Sequence, residues 1–313
     1  MNIAFIDIVH PVLQEMLESK GMACQHLYSD DIESLKAKIH AFDGIVIRSR
    51  IKLDSTFLSH ARVLKFIARS GAGMENIDLD YCASKNIICF NSPEGNRTAV
   101  GEHMLGQLLM LLNNLKKADV EVRNGKWLRE ENRGHEIEGK TIGIIGYGQM
   151  GSSFAKKLSG FDCTILAYDK YKKGFSTNFV KEASMDELFH SCDIISLHIP
   201  LTYETNYLIN DDFISKMQKP FYLLNSSRGQ NVETSALVAA LKTNKILGAC
   251  LDVFEYEKSS FEMLDVSTLP EPMQFLLKSQ KVILSPHIAG WTHESYYKLS
   301  KVLGDKIIAH YNL

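Results

Sequence analysis

Short apolar, β-branched runs alternate with stretches whose apolar positions recur every three or four residues, and this rhythm begins at the first residues of the chain. Ile3 to Ile8, Cys24 to Tyr28, Gly44 to Arg48, Leu64 to Ala68 and Ile87 to Phe90 each read as a strand. Val12-Leu13-Met16-Leu17 and Ile32-Leu35-Ile39 between them carry helical spacing, so the order is β-α-β-α and the sheet is expected to be mostly parallel. Beyond Pro93 the pattern changes. Thr98 to Lys117 is rich in Leu and Met and free of proline, which predicts one long buried helix. A second βαβ series then opens at Thr141 to Ile145. It continues through Thr164 to Tyr168, Asp193 to His198, Phe221 to Asn225, Ile246 to Asp252 and Val282 to Ser285, and Thr292 to Leu313 predicts a closing helix.

Length and composition narrow the class. A chain of 313 residues is expected to form about two domains. Its 45% hydrophobic and 23% charged residues are ordinary for a folded protein. With Lys+Arg 35 against Asp+Glu 37, the net charge of −2 offers no general field for a polyanion, so nucleic acid is not an expected partner. The six cysteines are scattered without a C-x-x-C pair, and no H-E-x-x-H appears, so reduced thiols and no metal are expected. The start of the chain shows no basic leader, and no apolar run approaches ~20 residues, which leads to the expectation of a cytoplasmic protein with no membrane partner.

Chemistry enters at Gly146-Tyr147-Gly148-Gln149-Met150-Gly151, directly after an apolar strand and before a helical stretch. Glycines there permit a tight turn and close approach of a pyrophosphate, whose charge is met by amides at a helix N-terminus. Gly146, Gly148, Gln149, Met150 and Gly151 are therefore candidate cofactor residues. Asp169 closes the next strand, where its carboxylate can accept from ribose hydroxyls and repel a 2′-phosphate, which favours NAD over NADP. Three further strands end in Asn225-Ser226-Ser227-Arg228-Gly229, in Asp252 to Glu257, and in Ser285-Pro286-His287-Ile288-Ala289-Gly290. An arginine can clamp a carboxylate, and a histidine backed by a glutamate can exchange a proton near neutral pH. Beside a nicotinamide, that set describes hydride transfer to a 2-oxo acid.

The chain resembles the D-isomer-specific 2-hydroxyacid dehydrogenases, and within them most the D-3-phosphoglycerate dehydrogenases. The resemblance runs through Arg69-Ser70-Gly71-Ala72-Gly73-Met74-Glu75-Asn76-Ile77-Asp78, Asn91 to Asn96, Glu102-His103, Gly139 to Gly146, His198-Ile199-Pro200-Leu201-Thr202 and the three strand ends above. It implies two doubly wound parallel-sheet domains, a Rossmann cofactor domain (94–284) inserted into a flavodoxin-like substrate domain (1–93 and 285–313). It also implies that Arg228 orients the substrate, that His287 is the acid in reduction and the base in oxidation, and that Glu257 fixes the histidine's tautomer. Gly71, Ala72, Gly73 and Asn96 would receive the substrate, while His198, Pro200, Ser227 and Asp252 would border NAD. An Arg at Arg48 would help hold a substrate phosphate, with Arg50 as a second guanidinium nearby.

The implied reaction is NAD-dependent interconversion of a small D-2-hydroxy acid and its oxo acid, with 3-phosphoglycerate and 3-phosphohydroxypyruvate of serine biosynthesis as the expected pair. A glyoxylate or hydroxypyruvate reductase and a non-catalytic NADH-sensing protein stay open as alternatives. The segment from Thr98 past Trp127 resembles the region through which family members form two-fold dimers, so a homodimer is expected. Two departures stand out. Lys258-Ser259-Ser260 follows Glu257 where the family often has proline, and the chain ends at Leu313 soon after His287, which is expected to leave no regulatory C-terminal domain.

Overall fold

A computed structural model describes residues 1–257 and 268–313. Residues 258–260, part of the interval singled out above, lie outside the described set.

The chain divides into two compact units, residues 1–97 with 291–313 and residues 98–290. Each is described by itself. In the first, β1 (Asn2–Phe5), β2 (Ala23–His26), β3 (Gly44–Ile47), β4 (Phe66–Arg69) and β5 (Ile88–Asn91) form an all-parallel sheet in the order β2-β1-β3-β4-β5. Alternation of side chains sorts the residues onto two faces. Ala4, Ile45, Ile47 and Ile67 join one buried cluster, while Ile3, Phe5, Val46 and Phe66 join the other. The second cluster is closed by Leu303 and Ile307 of the helix His293–Tyr311, whose N-cap is Thr292. Covering both faces with helices explains why these strands read as continuous apolar runs.

The second unit holds β6 (Thr141–Ile145), β7 (Thr164–Tyr168), β8 (Lys181–Glu182), β9 (Ile194–Leu197), β10 (Phe221–Asn225), β11 (Ile246–Leu251) and β12 (Val282–Leu284). Their order is β12-β11-β10-β9-β6-β7-β8, all parallel, with the strand order reversing at β6 and β9. The two units thus carry the two doubly wound topologies expected. β8 was not anticipated, because a two-residue Lys-Glu edge strand has no apolar alternation to reveal it.

The single helix expected over Thr98 to Lys117 is two helices. The first, Pro93–Leu112, starts at a proline whose missing N–H costs nothing in a first turn. It ends before Asn114, which takes left-handed φ of 52°, and Leu115–Arg123 follows. Asparagine tolerates that conformation, so the Asn113-Asn114 pair breaks the helix without a proline or glycine. Met104, Leu108, Leu111 and Leu112 bury against Ile142, Ile144 and Phe154 of the second unit. The unit boundaries fall at 97/98 and 290/291, not at the expected 93/94 and 284/285. Residues 285–290 group with the second unit because the amides of His287, Ile288 and Ala289 bond to Asp252.

Phe66 is 0% exposed, with the Phe90 and Tyr311 rings centred 6.0 and 5.8 Å away. Phe66→Ala is expected to lower unfolding free energy by about 3–5 kcal/mol, as large aromatic truncations in packed cores do. Urea melts measure this, and a loss below about 1 kcal/mol would contradict the packing described.

Candidate active site

The turn after β6 has a geometry that could take a phosphate. Gly148 is the N-cap of the helix Gln149–Leu158 and supplies no side-chain cap, so no protein side chain claims the first-turn amides from that position. Gly151 lies over the turn, and a Cβ there would stand 2.0 Å from the Gly146 carbonyl oxygen. Any larger residue would push helix and turn apart. At the end of β7, Asp169 accepts from the amides of Tyr147 (2.8 Å), Tyr171 (3.0 Å) and Lys172 (3.0 Å). Burial opposes its charge, but these amides and the Lys172 ammonium outweigh it and hold the carboxyl below its usual range. Two amides sit on Oδ1 and one on Oδ2, so a carboxylate of four acceptor positions keeps one on Oδ2 for a ribose hydroxyl. The nearby lysines are engaged. Lys170 pairs with Glu204, Lys172 donates to the Tyr147 carbonyl and Lys173 lies 3.9 Å from Glu182.

Two buried polar atoms near the ends of adjacent strands lack partners among the described residues: His198 Nδ1, just past β9, and Ser226 Oγ, just past β10. The His198 ring sits against Phe154 with Nε2 2.9 Å from the Ser196 hydroxyl, and burial pushes its pKa down to about 3. It is a neutral ring with one unsatisfied nitrogen, as a ligand-lined strand end would have. Pro200 is exposed beyond it, its carbonyl accepting from Thr205. Phosphate turn, ribose acceptor and orphaned polar atoms together fit a dinucleotide.

The catalytic candidates lie beyond three neighbouring strands. Asn225, Leu251 and Leu284 are in register at the ends of β10, β11 and β12. Arg228 therefore leaves one flank, His287 the other, and Asp252 and Glu257 the centre. Asn225 Nδ2 donates to the Arg228 carbonyl (2.9 Å) and Asn231 Oδ1 accepts from its amide (3.1 Å). The Ser227 hydroxyl lies between the two asparagines, 2.7 Å from Asn225 Oδ1 and 2.9 Å from Asn231 Oδ1. Both asparagines are 0% exposed, so Asn225, Ser227 and Asn231 form a buried hydrogen-bonded network under the turn that presents Arg228. Gly229 permits its close seat on the next loop, since a Cβ would fall 2.0 Å from the Phe254 carbonyl.

His287 Nδ1 lies 3.1 Å from Glu257 Oε1. The histidine backbone is left-handed at φ 55°, which costs a non-glycine residue of order 1 kcal/mol or more and needs outside support. Asp252 supplies it: its carbonyl accepts from the His287 amide (2.7 Å), its carboxylate from Ile288 (2.9 Å) and Ala289 (2.8 Å). Asp252 and Ser227, expected beside the cofactor, thus hold the His287 and Arg228 turns. Asn231 was not anticipated, because nothing in the sequence marks an asparagine as buried.

In the first unit, the Asn91 side chain donates to the Ala72 carbonyl (2.7 Å), and Ser92 N to the Gly71 carbonyl (2.9 Å). Gly71 is buried, Ala72 and Gly73 are half-buried, and Asn96 Oδ1 is buried without a partner among the described residues. Arg48 is held through its amide by Asp7 (2.6 Å), and its guanidinium stacks 4.3 Å over Trp291. Arg50 departs from expectation. Its guanidinium donates to the carbonyls of Ile6, Leu27 and Asp30, tying together loops at the ends of β1 and β2. It is a structural fork, so only one of the two guanidiniums remains for a ligand.

Residues 105–289 match the profile of the D-isomer specific 2-hydroxyacid dehydrogenase, NAD binding domain. A D-3-phosphoglycerate dehydrogenase of Archaeoglobus fulgidus is 32% identical over 306 residues, covering 96% of this chain. The chain spans only 56% of that relative's length. A hydroxypyruvate reductase of Thermotoga maritima is 32% identical, covering 93% of this chain and 90% of its own. Among solved structures, a D-lactate dehydrogenase of Aquifex aeolicus complexed with NAD and lactic acid superposes with TM-score 0.83 at 28% identity, over 100% of this chain and 96% of that one. The protein belongs to the D-isomer-specific 2-hydroxyacid dehydrogenase family, and its second unit is the family's NAD-binding domain.

Gly151→Val is expected to weaken NADH binding by about tenfold or more, because the added carbons must displace the turn that would receive the pyrophosphate. Titration of NADH fluorescence checks this; an unchanged dissociation constant would contradict the site.

Proposed function

We propose that the protein is an NAD-dependent dehydrogenase interconverting a small D-2-hydroxy acid and its 2-oxo acid. The observation that carries the reading is that Arg228, Glu257 and His287 follow three adjacent strands of the NAD-binding domain whose ends are in register, with His287 Nδ1 3.1 Å from Glu257 Oε1. NAD, when bound, carries the hydride. Arg228 clamps the carboxylate and polarises the carbonyl oxygen with a planar donor fork. Glu257 holds Nδ1 of His287, so the proton that the substrate oxygen gains or gives up is exchanged at Nε2. Gly146, Gly148, Gln149, Met150 and Gly151 receive the pyrophosphate and Asp169 the adenosine ribose. His198, Pro200 and the Asn225–Ser227 segment are assigned to the nicotinamide side. Arg48, Gly71, Ala72, Gly73 and Asn96 are the substrate contacts assigned to the first unit.

For the particular substrate, Arg48 supports 3-phosphoglycerate and 3-phosphohydroxypyruvate, since its position after β3 suits a phosphate clamp. A second reading, reduction of hydroxypyruvate or glyoxylate, is favoured by the commitment of Arg50 to backbone carbonyls, which leaves one guanidinium where a dianion calls for two. Relatives of about equal identity carry both kinds of name. We further infer a homodimer, because the helix Leu115–Arg123 buries none of its residues and, with Trp127 beyond it, leaves Leu115, Val120 and Val122 exposed.

Arg228→Ala is expected to lower kcat/KM for any accepted oxo acid by about 10²–10³ while NADH still binds. Steady-state assays beside an NADH titration measure both; unchanged turnover would defeat the assignment. NADH oxidation against a panel of phosphorylated and unphosphorylated oxo acids separates the two substrate readings. A preference for 3-phosphohydroxypyruvate that disappears in Arg48→Ala supports the first, a preference for hydroxypyruvate or glyoxylate supports the second, and NADH binding with no reduction of any oxo acid contradicts both.

A further inference from the structure

We propose that Ser285 and His103, which carry no role in the reading above, are positioning residues for His287 and act through the carboxylate of Asp252. The structural part stands on hydrogen bonds alone; the kinetic part rests on the dehydrogenase reading.

Asp252 is 1% exposed, and a carboxylate so far from water needs donors on its oxygens. Ile288 N and Ala289 N occupy one position on each oxygen. The Ser285 hydroxyl donates to Oδ1 as well. Ser285 Oγ in turn lies 2.8 Å from Gln107 Nε2 and 2.9 Å from His103 Nε2. A hydroxyl has one proton and two acceptor positions. With that proton given to Asp252, Ser285 can only accept from the other two, so His103 carries a proton on Nε2 and Gln107 presents its amide N–H. His103 and Gln107 stand one helical turn apart on Pro93–Leu112, and His103 Nε2 is also 3.6 Å from Asp252 Oδ1.

The direction of support follows from these constraints. Helix donors fix Ser285, Ser285 fixes the Asp252 carboxylate, and the carboxylate fixes the two amides that follow a left-handed His287. Without the serine hydroxyl, Asp252 Oδ1 loses a charge-assisted bond inside the protein, and its route to recovery is rotation toward other donors. Such a rotation releases Ile288 and Ala289, and the His287 ring drifts from Glu257. The imidazole would then remain present but be poorly aimed, which affects the proton-transfer step more than cofactor binding.

The test uses the full chain and three variants: Ser285→Ala, His103→Leu, and His103→Gln, which keeps an N–H donor at similar reach. Hydrogen exchange at the Ile288 and Ala289 amides is followed by NMR, beside kcat, KM and the NADH dissociation constant. Ser285→Ala and His103→Leu are expected to speed exchange at those amides and to lower kcat, each about tenfold, with NADH binding within about twofold of the parent. His103→Gln is expected to recover most of both. Unchanged exchange at the two amides overturns the proposal, as does exchange accelerated evenly across the second unit with kcat following the folded fraction. Should Ser285→Ala fail to fold, the Leu and Gln variants at His103 decide. A parent protein that reduces no oxo acid defeats the dehydrogenase reading, while the exchange measurements still judge the positioning network.

Discussion

Asp252 is a carboxylate withdrawn from water just past β11, the strand next to the sheet edge, and a group of that kind is tolerated only where donors converge on it. The surrounding chain meets that demand from two directions. The turn after β12 supplies consecutive amides, and it reaches them by placing His287 in a left-handed conformation that the residue would not choose by itself. The preceding serine supplies a hydroxyl. The need to solvate one buried oxygen pair therefore specifies where an imidazole stands, and the unit boundary moves past residue 290 for the same reason.

Parallel topology does the remaining placement. In an open α/β sheet all strands deliver their following loops to one edge, so the loops that carry Arg228, Glu257 and His287 leave the sheet side by side, and only the His287 turn needs an unusual backbone to aim its ring. The constraint is then backbone proximity. Gly229 lies against the Phe254 carbonyl, and Asn225 with Asn231 pins the arginine turn through buried hydrogen bonds. The same edge carries the phosphate turn after β6, where the order of strands reverses. The proposed chemistry and the cofactor turn would be two consequences of one strand direction.

Much of this was legible in the sequence because it depends on local pattern. The strand runs, the glycine turn and the acid closing β7 are contiguous signals, and the family resemblance named the residues at the strand ends. Long-range pairing was not legible. Ser285 and His103 are 182 positions apart, and neither carries a local mark of joining a network. Arg50 shows the limit from the other side: beside Arg48 it reads as a second anion clamp, whereas its fork is occupied by three carbonyls from two loops. Asn114 breaks a helix with a residue type that also occurs inside helices, so the break could not be told from the apolar spacing around it.

In the proposed reaction Glu257 and His287 work as one unit in the proton step. A double-mutant cycle on kcat/KM with Glu257→Gln and His287→Asn tests it most directly. The double variant is expected to lie within about threefold of His287→Asn alone, since a carboxylate that acts only through the imidazole has nothing left to orient. Independent losses that multiply in the double variant would contradict it.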